Sequence, residues 1–245
     1  MNQEALVLAQ GDGWVAAAKP EGMATVPECR DDPDCLRAVL ERRLGCPLLP
    51  VHRLDKDVSG IVLFATGPDR HRELCIAFEQ RRVAKRYRAL VAGRVSPEEG
   101  RIDLPLREFG SGRVAADPVR GKPSLTAYRA IERLPGHTLL EVAPLTGRRH
   151  QIRAHLCSIG HPIAGDSRYG GRTGATAAPR LMLHADGVEV TLPDGTRIAP
   201  PDCPSATFEA VLEGLRRSAA VQHEEGPLQQ HRETGQQERR ADKPR

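Results

Sequence analysis

The chain has 245 residues, a formal net charge of +4 at pH 7, 39% hydrophobic residues and 28% charged residues. This composition is typical of a globular protein with a sizeable core. Aromatic residues make up only 3% of the chain, which argues against an RNA-binding sheet built from stacking aromatic side chains. No apolar run is long enough for a membrane-spanning helix and the N-terminus lacks a secretion signal, so we expect a cytoplasmic protein that binds no membrane.

The spacing of apolar residues predicts strands and helices in an irregular order. In chain order, the predicted elements are a strand at Trp14–Ala18, a helix at Cys35–Leu44 capped by Asp34, a strand at Ile61–Ala65, a helix at Asp69–Arg81, a strand at Tyr87–Val91, strands at Leu125–Leu134 and Thr138–Ala143, a helix at Arg148–Ile159, strands at Val188–Leu192 and Arg197–Ala199, and a helix at Ser205–Arg217. Hairpin signals mixed with helices favour an α+β fold over regular strand–helix alternation.

The chain shows no clear linker before residue 218, so residues 1–220 are predicted to form one catalytic domain. Residues 221–245 are rich in Gln, Glu and Arg and contain few aliphatic side chains, which predicts a disordered polar tail. The segment 107–122 is rich in Gly, Pro and charge, and we expect a mobile surface loop there.

Positive charge is concentrated in two segments. Residues 70–94 hold eight Lys and Arg against two Glu, and residues 145–172 hold five Arg against one Asp. A solvated helix face is normally of mixed sign, so this local excess favours a polyanionic partner such as nucleic acid.

One candidate site is the segment 51–60, where His52, Arg53, Asp55 and Asp57 come just before the apolar run Ile61–Ala65. Arg53 and Lys56 flank Asp55, which favours an ionised carboxylate that acts as a nucleophile or a base. The same pattern would also suit a salt-bridged turn without chemistry.

A second candidate site is the segment 145–156. On a helix, Gln151 and His155 would share one face and Arg149 and Arg153 another. The free N–H groups at the helix start and the glycine before it would suit a phosphate. The alternative is an amphipathic helix whose basic face lies in water.

The spacing of potential ligands argues against a metal site. His52, Asp55 and Asp57 resemble pieces of a hydrolase metal centre, but the basic residues beside them oppose a cation, and His150 and His155 do not share a helix face. The six cysteines include no C-x-x-C pair, which predicts free thiols. Phosphate-binding glycine loops and the serine-hydrolase elbow are also absent from the sequence.

Taken together, six segments in order resemble the RluA-type RNA pseudouridine synthases, over about residues 10 to 215. They are WVAAAKPEGMATVP, HRLDKDVSGIVLFATG, KRYRALVAG, GKPSLTAY, LTGRRHQIRAHLCSIGHPIAGDSRYG and RLMLHADGVEV. The resemblance implies an α+β fold with a mixed, mostly antiparallel central sheet flanked by helices and an active cleft across its middle. It also implies isomerisation of a specific uridine to pseudouridine in structured tRNA or rRNA, without cofactor or metal.

The resemblance places the catalytic aspartate at Asp55, the active-site tyrosine at Tyr87, the arginine that orients the aspartate at Arg153 and a pocket leucine at Leu183. Arg53 becomes the candidate wedge that replaces the extruded uridine in the stack. Further contacts with RNA are expected from neighbouring residues of the basic segments and the two candidate sites, namely His52, Lys85, Arg148, Arg149 and Gln151.

The sequence departs from the family pattern in two places. Val58 stands where members usually have Thr, which removes a hydroxyl from the segment HRLDKDVSGIVLFATG. Few residues precede the first strand, so we expect no N-terminal S4 module and a compact stem-loop substrate.

Two other functions stay open, a non-catalytic RNA-binding protein and a metal-dependent nuclease. The resemblance also favours a monomer.

Overall fold

The structure is a computed structural model that describes residues 6–28, 33–170 and 178–220. Its strands are β1 (Leu6–Gly11), β2 (Trp14–Lys19), β3 (Leu49–Pro50), β4 (Ser59–Ala65), β5 (Ala84–Ala92), β6 (Glu99–Asp103), β7 (Leu106–Glu108), β8 (Val114–Ala116), β9 (Leu125–Leu134), β10 (His137–Pro144), β11 (Leu183–Thr191) and β12 (Arg197–Ile198). Its helices are α1 (Leu36–Leu44), α2 (Pro68–Glu79), α3 (Gln151–Ser158) and α4, which occupies residues 206–220.

A large mixed sheet forms the centre of the fold, with strand order β1-β2-β4-β11-β5-β10-β9-β6. The pairing of β4 with β11 is parallel and the other pairings in this order are antiparallel. The predicted α+β fold with a mixed, mostly antiparallel sheet flanked by helices is therefore confirmed.

Strand β4 is buried along its whole length because the sheet is covered on both faces. Val62 and Phe64 pack with residues of α1, α3 and α4, whereas Ile61 and Leu63 pack with residues of α2 on the opposite face. This explains why the strand reads as a continuous apolar run in the sequence.

Gly60 permits the close approach of β4 to β11. Its φ is +123°, and a Cβ atom there would lie 2.3 Å from the carbonyl oxygen of Ala185. A side chain at this position would therefore force the two strands apart. The approach brings the loop that precedes β4 next to Leu183 at the start of β11.

Two helix starts differ from the prediction. Cys35, and not Asp34, is the N-cap of α1, and it makes no side-chain capping bond. Helix α3 begins at Gln151, three residues later than predicted, because His150 has a left-handed backbone with φ of 52°. Arg148 and Arg149 consequently lie in a turn before the helix, so Arg149 and Arg153 do not share a helix face.

The prediction of an irregular loop over the whole of residues 107–122 is wrong, because this segment contains most of a two-stranded hairpin, β7 and β8. The mobility of the segment stays a prediction. The Asp117 carboxylate accepts hydrogen bonds from the N–H groups of Val119 and Arg120, and Val114 N–H donates to the Tyr169 hydroxyl. The two local bonds of Asp117 and the long-range bond to Tyr169 thus hold a segment whose Gly and Pro content suggested irregular structure.

No helix within the described residues is both long and apolar enough to cross a membrane. The predicted tail at residues 221–245 lies outside the described residues, as does Cys29. The other five cysteines are free thiols.

Candidate active site

A cleft of about 900 Å³ opens where β4, β11 and β5 meet in the middle of the sheet order. Its lining comes from four parts of the chain: residues 51–58 before β4, residues 78–87 from the end of α2 into β5, residues 144–153 from the end of β10 into α3, and Leu183. All ten residues that the sequence assigned to catalysis or substrate binding line this cleft: Asp55, Tyr87, Arg153, Arg53, His52, Leu183, Arg148, Arg149, Gln151 and Lys85.

The backbone around Asp55 is tied to the turn that follows β2. Thr25 Oγ1 donates to the carbonyl oxygen of Leu54 (3.0 Å) and accepts from Leu54 N–H (3.1 Å). Val58 N–H donates to the Asp55 carbonyl oxygen at 3.0 Å. These bonds hold the backbone on both sides of Asp55.

Lys19 adds a second tie to this loop. Its buried ammonium donates to the carbonyl oxygens of Pro20 (2.8 Å), Met23 (2.6 Å) and Lys56 (2.9 Å). Burial lowers the pKa of Lys19 to about 7, with the Arg180 charge contributing in the same direction. The composition of the chain does not point to Lys19. The sequence feature that could have drawn attention to it is the KPEG motif within the segment WVAAAKPEGMATVP.

Arg153 lies between two carboxylates. It forms a bidentate pair with buried Asp166, with Nε and Nη2 each 2.8 Å from a carboxylate oxygen. Its Nη1 lies 3.5 Å from Asp55 Oδ2. Burial lowers the pKa of Arg153, but the Asp166 and Asp55 interactions outweigh burial and raise it overall, so the guanidinium stays charged.

His150 lies in the second candidate segment, where the sequence predicts no catalytic or substrate-binding role for it, yet its Nε2 lies 3.7 Å from Asp55 Oδ2. Its Nδ1 lies 3.1 Å from the Tyr169 hydroxyl. The pKa of His150 is lowered, chiefly by burial and by the nearby arginines against the opposing charge of Asp55, so the ring is neutral near pH 7. The left-handed backbone that turns this ring into the cleft has no reliable signal in the sequence.

Tyr87 projects from β5, which is adjacent to β11 in the sheet. Burial, with a further contribution from the Asp55 charge, raises the pKa of its phenol. The group is therefore protonated near neutral pH. This state allows the hydroxyl to donate a hydrogen bond and leaves the ring as an apolar surface for a base.

Two predicted substrate contacts are already used within the protein. Gln151 is buried and its amide makes four hydrogen bonds, to Thr146 Oγ1, Arg148 N–H, the Leu125 carbonyl oxygen and Thr126 Oγ1. Its amide therefore joins the turn before α3 to β9, and a role of Gln151 in substrate binding stays a prediction.

His52 is the other. Its ring stacks on Phe78 with centroids 4.8 Å apart, and its Nε2 accepts from Leu63 N–H at 2.9 Å. Burial and the charge of Lys85 lower the pKa of His52 to about 3. The ring is a neutral part of the cleft wall and does not supply a positive charge.

The cleft carries an excess of positive charge. Its cations are Arg53, Arg81, Lys85, Arg148, Arg149 and Arg153, and its acids are Asp55 and Glu79. The Lys85 ammonium lies 3.3 Å from the carbonyl oxygen of Thr146, and burial lowers its pKa to about 8. Such a surface suits a phosphodiester backbone. The described residues contain no cluster of three or more His, Cys, Asp or Glu side chains arranged to hold a metal.

The comparisons with known proteins agree with this geometry. The model of a family described as RNA pseudouridylate synthase matches residues 13–158. The chain belongs to this family. The matched residues include the whole cleft lining except Leu183. The reaction of the protein is therefore the isomerisation of uridine to pseudouridine in RNA.

Individual relatives cover most of the chain. The dual-specificity RNA pseudouridine synthase RluA of Pasteurella multocida is 37% identical over 180 residues, which is 71% of this chain and 81% of the relative. The RluA of Escherichia coli strain K12 is 36% identical over 192 residues, covering 77% and 87%. The ribosomal large subunit pseudouridine synthase C of Vibrio parahaemolyticus is 37% identical over 174 residues, covering 69% and 55%.

Solved structures confirm the fold. The chain superposes on human RNA pseudouridylate synthase domain containing 1 with a TM-score of 0.70 at 24% identity, covering 87% of this chain and 95% of the human one. It superposes on human RNA pseudouridylate synthase domain containing 4 with a TM-score of 0.71, also at 24% identity, covering 86% and 92%.

Proposed function

We propose that the protein isomerises a uridine within a stem-loop of tRNA or rRNA, acting as a cytoplasmic monomer, with Asp55 as the catalytic group. The observation that carries this assignment is the Asp55 carboxylate in a basic cleft, 3.5 Å from an arginine that a second, buried carboxylate holds in place. This arrangement keeps a carboxylate at a site that attracts phosphate.

The size and lining of the cleft support base flipping. A volume of about 900 Å³ accommodates a nucleotide, and the lining contains the apolar side chains of Leu54, Ile152 and Leu183 together with Asp55. Arg53 is exposed at the cleft, where its guanidinium can occupy the gap left in the RNA stack. Stacking of the guanidinium and its contact with phosphate would offset part of the cost of extruding the base.

The chemistry needs no redox partner. The C1′–N1 glycosidic bond breaks, the uracil turns within the cleft, and a C1′–C5 bond forms. The C5 proton leaves and N1 gains a proton, so atoms and charge balance without a cofactor. Asp55 either attacks C1′ or removes the C2′ proton, and in both cases the Arg153 guanidinium, 3.5 Å away, orients its carboxylate.

Tyr87 and His150 are placed to support the proton transfers. Tyr87 remains protonated, so its ring packs against the uracil while its hydroxyl takes part in hydrogen bonding as the C5 proton departs. His150 lies beside Asp55 in its neutral form and can accept a hydrogen bond.

Release of tritium from uridine C5 tests the proposal. The substrates are tRNA and large-subunit rRNA transcripts labelled at that carbon, and pseudouridine is identified by chromatography of the digested RNA. We expect release together with pseudouridine from at least one RNA class, and the same release with a chelator present. Absence of release from both classes, or chelator-sensitive strand cleavage, would contradict the proposal and favour the binding protein or the nuclease, respectively.

A further inference from the structure

Among the described residues, the non-glycine positions with positive φ are Arg81 (57°) and His150 (52°), and both line the cleft. A side chain in this conformation brings its Cβ close to its own carbonyl group, and glycine avoids the penalty. Such positions persist where the side chain has a use that offsets the strain. His150 has one, because it reaches Asp55.

Arg81 occupies the place after α2 where glycine is the usual residue. Arg82 N–H donates to the Ala77 carbonyl oxygen (2.9 Å) and Arg81 N–H to that of Phe78 (3.1 Å), the bond pattern of a Schellman C-terminus. Helix α1 is followed by a left-handed residue as well, but there the residue is Gly45. The left-handed residue after α1 is therefore a glycine, whereas the left-handed residue after α2, at the cleft, is an arginine.

Arg81 is exposed, and its guanidinium is available to bind an external group. Within the described part of the chain, the side chains of Arg53, Arg81 and Arg148 have no hydrogen-bond or carboxylate partner, whereas Arg149 pairs with Glu108 and Arg153 with Asp166. Three unpaired guanidiniums in the lining of one cleft suit an external polyanion.

We propose, on the basis of the proposed function, that Arg81 is a further substrate-binding residue that holds a phosphate of the RNA as the strand enters the cleft. It completes a set of free guanidiniums with Arg53 from the catalytic loop and Arg148 from the turn before α3. The left-handed backbone at Arg81 is retained because the arginine contributes affinity for RNA.

The test compares Arg81→Gly with Arg81→Lys and with the neighbouring control Arg82→Gln. Arg82 is also exposed, but its side chain bonds to Gln80 and lies outside the cleft lining. Kd is measured at several salt concentrations on an unmodified tRNA transcript and a large-subunit rRNA stem-loop transcript, with each variant placed in an Asp55→Asn background to prevent turnover. The melting temperature is measured for each protein.

We expect Arg81→Gly to weaken binding about five- to tenfold and to reduce the slope of log K against log salt by about 1, while its melting temperature equals or exceeds that of the parent. Arg81→Lys retains the slope, and Arg82→Gln changes neither quantity. A folded Arg81→Gly with the parent's affinity and slope would overturn the proposal, and so would a lowered melting temperature or a failure of lysine to keep the slope.

Tritium release by the wild type on the same transcripts reports the proposed function separately. Lost affinity in Arg81→Gly without release by the wild type would support this inference and contradict the proposed reaction. Release by the wild type with an unchanged slope in Arg81→Gly would do the reverse.

Discussion

Arg153 joins two carboxylates with different environments. Asp166 is fully buried, whereas the Asp55 side chain is 24% exposed and faces the cleft. Asp166 also accepts hydrogen bonds from the N–H groups of Arg168 (3.0 Å) and Tyr169 (2.9 Å). We therefore infer that Asp166 positions Arg153, which leaves one edge of the guanidinium for Asp55, the proposed catalytic group.

Asp166→Asn should damage both stability and turnover. It removes the charge that balances a buried guanidinium, which costs about 2–4 kcal/mol in the free energy of unfolding. With Arg153 released, Asp55 loses its alignment and kcat falls at least about tenfold, with a smaller change in KM. Denaturant unfolding and tritium-release kinetics check these values.

Asp117→Asn is the matched control, because Asp117 also accepts two backbone N–H bonds and faces an arginine, but it lies directly after β8 and outside the cleft lining. Its substitution should shift the denaturant midpoint far less than Asp166→Asn does, because solvent screens the Asp117 charge. Equal behaviour of the two variants would contradict the positioning role of Asp166.

Lys85 leads us to expect that RNA binding depends on pH. Burial lowers its pKa to about 8, so in the free protein the ammonium loses its charge as the pH rises through this value. A lowered lysine pKa makes folding more favourable with rising pH between about 8 and 10.5, so a loss of RNA affinity in that range cannot come from unfolding through this group.

We expect the RNA affinity of the wild type to fall between about pH 7 and about pH 9, and to fall less in Lys85→Arg, because arginine stays charged. Filter binding on one transcript across this range measures the effect. The exposed Lys122→Arg is the control and should follow the wild type. Identical pH profiles for Lys85→Arg and the wild type would show that the Lys85 charge does not contribute.

At the scale of elements, the sequence predicted those parts of the fold that depend on local patterns. The predicted strand Leu125–Leu134 has the same bounds as β9, and the Pro-Gly turn that follows it marks its end in the sequence. The loop with Asp55 was located for a similar reason, since its charged residues come directly before the buried strand β4.

Features that depend on tertiary contacts were not predictable. The start of α3 is set by the left-handed His150 and by the four hydrogen bonds of Gln151, which join it to residues of β9 and of the preceding turn. Asp166 was part of a quoted motif but received no role, because its partner Arg153 is thirteen positions away and only the fold brings them together.

At the scale of the whole molecule, the two basic segments seen in the sequence meet at one cleft. The lining includes Arg81 and Lys85 from the first segment, and Arg148, Arg149 and Arg153 from the second. Although the net charge is only +4, positive charge is concentrated at the cleft, as expected for a protein that attracts RNA to one face.

Removal of residues 221–245 should leave the catalytic domain intact. These residues include only three aliphatic side chains, Val221, Leu228 and Ala241, and cannot contribute much apolar burial. We expect the melting temperature of a chain ending at residue 220 to lie within about 2 °C of the full chain, with tritium release retained. A clear decrease in melting temperature would contradict the predicted domain boundary.

The central claim is that the Asp55 carboxylate carries out the isomerisation. The most direct measurement is tritium release from uridine C5 by Asp55→Asn beside the wild type, with RNA affinity measured on the same transcript. Asparagine keeps the size of the side chain and removes its charge, so we expect no detectable release and a Kd within severalfold of the wild type. Near-normal release by this variant would contradict the assignment of Asp55 and the mechanism built on it.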